Sequence, residues 1–203
     1  MAHTSYRMIA LAAALAAAAG CFDEPEPAYK TVPNGARVYL QDKALKDFAS
    51  AAKGLDPAIV DYINLDRNAI TNLDGVAAFT GLKWLRLNDN KLKSLPSLAP
   101  LTKLRRIYLR DNLLSEVPEA LKDAPALTDI ELSGNPITEI PSWLAGKRGL
   151  RNLSFNRCTR LQKLPDDLSA WKSLKSLQLG ELRLDAAEMA RIRKALPSVA
   201  VVF

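Results

Sequence analysis

The stretch LKWLRLNDN, Leu82 to Asn90, sets apolar side chains at Leu82, Leu85 and Leu87 and ends on Asn90. Upstream, the same phrase starts at Val60 and passes through Ile63 and Leu65 to Asn68. Downstream it returns as LRRIYLRDN (Leu104, Ile107, Leu109, Asn112) and LTDIELSGN (Leu127, Ile130, Leu132, Asn135). Two later copies begin at Leu150 (Leu153, Phe155, Cys158) and Leu174 (Leu177, Leu179, Leu182). The starts lie 22, 22, 23, 23 and 24 residues apart. Self-similarity at such a period signals a solenoid built of stacked units.

Each unit also repeats a second half. An apolar residue follows the Asn by two (Ile70, Leu92, Leu114, Ile137) and another comes three later (Leu73, Leu95, Val117, Ile140). Pro then follows in four units, at Pro96, Pro118, Pro141 and Pro165. In the LxL core of the phrase, the two apolar side chains share one face of a strand and the residue between them points to the other. One such strand cannot bury its face alone, whereas stacked copies make a continuous core between sheet and return segment. The Asn falls where the strand turns, where its amide can pair backbone groups that the loop leaves open. Pro keeps the return segment from continuing as a regular strand.

The phrase resembles the leucine-rich repeat, LxxLxLxxN/CxL, over about 125 of the 203 residues. That resemblance implies an α/β horseshoe solenoid with a concave parallel sheet, here six right-handed repeats over residues 60–184 closed by two caps. The N-terminal cap is expected over 35–59. ARVYL reads as a strand, and Leu45 and Phe48 follow Asp42 at helical spacing, with Asp42 as the helix cap and Gly54 as its stop. The C-terminal cap is expected over 185–203. Asp185 caps a helix carrying Met189, Ile192 and Leu196, Pro197 stops it, and VAVVF follows as a short strand. Two irregularities stand out. Cys158 takes an Asn place, which the family accepts, in a unit one residue longer, and Leu182 replaces the Asn of the sixth unit.

The first 34 residues read differently. Arg7 precedes a twelve-residue apolar run from Met8 to Ala19, too short for a membrane span and suited to the core of an export signal over residues 1–20. AAAAGC, ending on Cys21, resembles the lipobox of bacterial lipoproteins, departing from it by Ala18 where Leu is usual. The resemblance implies lipidation at Cys21 and a chain anchored at the cell envelope, with Phe22 after the Cys pointing to the outer membrane. Cleavage without lipidation, giving a periplasmic or secreted chain, is the other reading. Residues 21–34 are acidic and Pro-rich beyond the Cys, the composition of a flexible tether.

The composition removes several function classes. The +6 formal charge is spread among acids, not gathered into a Lys/Arg run, which argues against nucleic acid as partner. The single histidine, His3, lies inside the expected leader. No His-based nucleophile pair or zinc site is then expected, and neither a phosphate loop nor a kinase signature is present. Cys158 reads as a buried structural thiol. Asp129 and Glu131, two apart on one strand face, could be drawn as an acid/base pair, but exposed ion pairing is the ordinary reading. No enzyme, cofactor or metal is therefore expected.

Function is then sought on a surface. Strand parity sends Tyr62, Asn64 and Asp66 to the concave face, followed by Trp84, Arg86, Asn88, Arg106, Tyr108, Arg110, Asp129, Glu131 and Ser133, and beyond them Asn152, Ser154, Asn156, Ser176, Gln178 and Gly180. Trp84, Arg86, Arg106, Tyr108 and Arg110 fall within about 10 Å of one another on this reading, and these residue types are enriched at binding hot spots. Two accounts compete. Either this is a partner-binding face, or the arginines stack on the aromatics and pair with Asp129 or Glu131. Three arginines facing one way lead us to expect an acidic protein or an anionic envelope polymer as partner. Because Trp84 and Arg106 face solvent on this reading, their truncation should barely change stability. A structural envelope lipoprotein without a dedicated partner is the other class.

Overall fold

The computed structural model describes residues 29–32 and 35–203. The expected export signal and Cys21 lie outside them. Among the described residues, nine strands form one sheet in sequence order: β1 (Tyr29–Val32), β2 (Gly35–Tyr39), β3 (Val60–Asn64), β4 (Trp84–Arg86), β5 (Arg106–Tyr108), β6 (Asp129–Glu131), β7 (Asn152–Ser154), β8 (Ser176–Gln178) and β9 (Ala200–Val202). β1 pairs antiparallel with β2, and every later pairing is parallel. The α/β solenoid expected from the sequence is the observed fold.

The register follows from the repeated phrase. Ile63, Leu85, Ile107, Ile130, Leu153, Leu177 and Val201 are successive partners across the sheet. All but Val201 are buried, so each strand's central apolar residue stacks on the same residue of the next unit. The second apolar row (Leu65, Leu87, Leu109, Leu132, Phe155, Leu179) is likewise buried. Burying such side chains contributes about 1.5–3 kcal/mol each, and the energy is gained only through neighbouring units.

The return side is short and irregular, as Pro demands. Pro118 leads into a 3₁₀ turn at Glu119–Leu121, and Pro141 opens the one-turn helix α2 (Ser142–Ala145), where its missing N–H costs nothing. A longer 3₁₀ segment, Ser169–Ser173, places Trp171 fully in the core, its indole N–H donating to the Leu144 carbonyl at 3.0 Å.

The caps differ in part from expectation. The helix near residue 42 is only α1 (Phe48–Ala51), and Asp47, not Asp42, caps it by accepting from the Ser50 N–H at 2.7 Å. Asp42 instead has a φ of 60° and pairs bidentately with Arg67. The reason is that residues 40–45 follow the loop path of a repeat. They lack its sequence phrase, but Asn68 of the first unit holds them, accepting from the Lys43 and Leu45 N–H groups and donating to the Leu40 carbonyl. The tether expected over 21–34 also stops short, because Tyr29–Val32 is a strand on the edge of β2. At the other end Asp185 does cap α3 (Ala186–Ala195), accepting from the Glu188 N–H at 2.7 Å. Arg191 of that helix donates to the carbonyls of Leu164, Pro165 and Asp166, tying the cap to the fifth unit.

Candidate functional site: the concave face

The loops that end the strands fix the face beside them. In each of four units the Asn side chain bridges two units. Asn112 accepts from the Leu92 N–H at 3.0 Å and donates to the carbonyls of Leu87, Leu109 and Arg110. Asn90 and Asn135 repeat that pattern one unit before and after. Cys158 keeps one such bond, its Sγ donating to the Leu132 carbonyl at 3.3 Å. Burial pushes that thiol up to about 11, so it is no nucleophile at neutral pH. The residue before each of these positions turns left-handed: Arg67, Asp89, Asp111, Gly134, Arg157 and Glu181 all have φ between 53° and 70°. Five of these six are not glycine, so the turn itself admits a side chain, but at Gly134 space is short: a Cβ there would stand 2.0 Å from Asp111 Oδ1 and would force a shift in the Asp111–Arg157 ion pair that skips across a whole unit.

On the sheet itself the middle residue of each LxL faces away from the core, as parity requires. The structure brings Tyr39, Tyr62, Trp84 and Tyr108 into one continuous ladder over β2–β5, with ring centroids 5.4, 5.0 and 5.5 Å apart and the last two contacts edge-to-face. Each such contact is worth about 0.5–1.5 kcal/mol beyond burial. Tyr39 belongs to this site although the sequence reading left it in the cap. Its place in ARVYL, alternating with the buried Ala36 and Val38, was the available signal. Burial raises the phenol pKa of Tyr62 and of Tyr108 above the ordinary tyrosine value.

The five expected hot-spot residues do come together, but their charges are largely spoken for. Burial works against the charge of Arg86, and the Asp66 carboxylate, bonded to Nε and Nη2, more than restores it. Arg86 also sits 5.6 Å from the Tyr108 ring centre. Arg106 lies 4.9 Å over Trp84 and 3.8 Å from Asp129. Arg110 reaches Asp89 at 3.4 Å and Asp111 at 3.2 Å. Asp129 further accepts from Asn152 and from the Thr128 hydroxyl. Glu131 stands apart. It accepts from the Ser133 N–H at 2.8 Å, and no cation among the described residues reaches it.

Four residues that parity placed on this face are in fact buried: Asp66 at 2%, Asn88 at 6%, Ser133 at 3% and Ser154 at 6% exposure. They lie at or just past the strand ends, where backbone donors need partners. Asp66 accepts from the Asn88 N–H and Asn88 from the Arg110 N–H, one unit on in each case. Ser133 and Ser154 share a hydroxyl–hydroxyl bond. Their role is structural. Beside the aromatic ladder an open groove of about 420 Å³ crosses β4–β8, with Arg86, Tyr108 and Arg110 on one flank and Asp129, Glu131 and Gln178 on the other. No cluster of three or more His, Cys, Asp or Glu able to hold a metal occurs among the described residues, and no described helix is long and apolar enough to cross a membrane.

Comparison with known proteins agrees with this architecture. Residues 60–114 match the family described as Leucine rich repeat, and residues 126–146 match a second description of the same name. These two segments are similar in sequence to leucine-rich repeats. No curated protein matches the chain in sequence. Among solved structures, the functional domain of InlJ from Listeria monocytogenes, described as including a cysteine ladder, superposes with a TM-score of 0.63 at 23% identity, over 79% of this chain and 33% of its own. An internalin, inlF, of the same organism gives 0.54 at 21% identity, over 70% of this chain and 47% of its own. The chain thus spans a third to about half the length of these two structures, and at such identity what it shares with them is the fold.

Proposed function

We propose that this leucine-rich repeat chain is a non-catalytic protein-binding module, held at the bacterial cell envelope, that takes its partner on the concave sheet around Trp84, Arg86, Arg106, Tyr108 and Arg110, with Asp129 and Glu131 beside them. The observation that carries the reading is the Tyr39–Tyr62–Trp84–Tyr108 ladder beside an open groove. Four large aromatics on a solvent-facing sheet add little to a core, while Trp, Tyr and Arg are the side chains that dominate binding energy when a partner covers them. The Trp84 indole nitrogen is buried without a hydrogen-bond partner. Such an orphan costs stability, which favours a functional reason for tryptophan at this place. The sheet holds the ladder rigid, so little ordering is lost on association.

Envelope attachment rests on Arg7, the Met8–Ala19 run and AAAAGC. Radiolabelled palmitate entering the wild type and not Cys21→Ser supports it, and equal labelling of both overturns it. For the binding face, capture by the full chain should yield a saturable partner that Trp84→Ala loses and a return-side change, Lys122→Ala, keeps. Equal capture by Trp84→Ala and wild type overturns the assignment.

A further inference from the structure

Three arginines on one face invite an acidic partner, but the pairing pattern reverses that reading. Arg86, Arg106 and Arg110 each have a carboxylate within 4.0 Å. The carboxylates of Asp66 and Asp129 are correspondingly occupied. Glu131 alone among the acids of the groove has no cation, and its second oxygen has no hydrogen-bond partner among the described residues. Its lateral neighbours are Tyr108 on β5 and Ser154 on β7, both uncharged. Arg37, a cation of this face with no ion pair among the described residues, sits four strands away on β2. The charge left over in the groove is therefore negative and localised.

Resting on the concave-face reading above, we infer that the partner presents an extended protein segment whose lysine or arginine meets Glu131, with an aromatic or aliphatic side chain of the same segment on the Trp84–Tyr108 end of the ladder. Charge complementarity selects the cation, because an opposite charge beside Glu131 is gained without competition, whereas an acidic group must compete with Asp66, Asp89, Asp111 or Asp129 for an arginine. The spacing follows from the sheet. Trp84 and Glu131 lie two strands apart, about 10 Å, and two residues out of register along the strands, so roughly 12 Å separates them. An extended chain rising about 3.3 Å per residue covers that in three or four residues. The recognised segment thus has a cationic residue three or four positions from its apolar anchor.

Panning a library of random twelve-residue peptides against the full chain, in wild-type, Glu131→Gln, Glu131→Lys and Trp84→Ala forms, tests this. Gln keeps an acceptor for the Ser133 N–H, so Glu131→Gln preserves the fold. Wild type should enrich Lys or Arg at that spacing from an aromatic or aliphatic residue. A synthesised winner should bind Glu131→Gln at least about tenfold more weakly, and Glu131→Lys should turn the preference toward Asp or Glu. Enrichment of acidic peptides by wild type, no enrichment at all, or a cationic preference unchanged in Glu131→Gln overturns the inference. If the winners bind Trp84→Ala as tightly as wild type, it is the concave-face reading itself that fails.

Discussion

The Asn68–Asn90–Asn112–Asn135 row and the Tyr39–Tyr62–Trp84–Tyr108 row run across successive units in the same direction, yet one is locked into the loops and the other lies on the sheet. Each of these Asn side chains makes at least four hydrogen bonds to backbone groups of the loops, and several carbonyls are shared by the Asn of two successive units. The aromatics touch mainly one another and the arginines, and Tyr39 remains 38% exposed. Period alone therefore does not say what a row is for. A row whose polar atoms complete the backbone serves the fold, and a row of large side chains with spare surface is available to a partner.

The comparison is broken most severely at Asn112. Asn112→Ala removes one acceptor and three donated bonds in the interior, leaving the Leu92 N–H unpaired, while the Leu87, Leu109 and Arg110 carbonyls each keep one other donor, from Asn90, Asn135 and Asp89. With one buried orphan costing about 1–3 kcal/mol and each of the three lost bonds about 0.5–1.5 kcal/mol, the expected destabilisation is about 3 kcal/mol or more. Urea denaturation of the variant against wild type measures it. A loss under about 1 kcal/mol would mean that water replaces the amide, and the row would then be less essential than its bonding implies.

Cys158 sharpens the same comparison, since it stands in the Asn row with a thiol. Burial holds its pKa at about 11 in the folded chain against an ordinary 9.0. The folded state then keeps a proton that the unfolded chain releases. This contribution is intact below about pH 9 and is lost as pH rises from 9 to 11, to the extent of about 2–3 kcal/mol. Unfolding followed at pH 8 and at pH 11 should show an excess loss for wild type over Cys158→Ala. Parallel losses in both would place the alkaline sensitivity on other groups.

On the aromatic row the expected stability effect is smaller. The sequence reading treats Trp84 as solvent-facing, with little to lose. The structure has it half-buried between Tyr62, Tyr108 and Arg106. Trp84→Ala should cost about 1–2 kcal/mol in stability, below the 3–5 kcal/mol of a fully buried ring because part of the surface is already wet and an orphan N–H is removed as well. Thermal or urea unfolding provides the measurement, and no loss at all would restore the solvent-facing reading.

What was legible in the sequence follows the same division. Leu85, Ile107 and Ile130 announce the sheet because a core that repeats every 22–24 residues leaves a periodic mark. Asn at its fixed place announces the loop because one amide geometry solves the same backbone problem in every unit. Parity likewise identifies Trp84, Tyr108 and the arginines as one group. The end of the cap was not legible, because Asp42 and Asp47 are both good helix starters in local sequence and only the pull of Asn68 on residues 40–45 decides between them. Nor was the burial of Asp66 and Asn88, since alternation ceases to describe side chains once the strand gives way to the turn. Charge pairing was the least visible of all. Asp89 and Asp111 reach Arg110 from left-handed turn positions, and no linear spacing reveals that contact.

Arg106 supplies the smallest expected effect on stability. Its side chain is 49% exposed, its ion pair with Asp129 is long at 3.8 Å, and Asp129 keeps its bonds to Asn152 and Thr128 without it. Pairs of this kind contribute roughly 0–1 kcal/mol, and a stacked guanidinium over Trp84 adds a similar amount. Arg106→Ala should therefore lower the unfolding free energy by about 1 kcal/mol, at the bottom of the range expected for Trp84→Ala. Binding should respond differently. Covering by a partner excludes water, so the guanidinium–indole stack becomes desolvated and worth about 2 kcal/mol. Because the stack is already present in the free chain, losing it should weaken the selected peptide by the difference, about 1–1.5 kcal/mol, or roughly tenfold. A variant that loses stability and affinity in equal measure would show that Arg106 acts only by holding the Trp84 ring, while one that loses neither would remove it from the site.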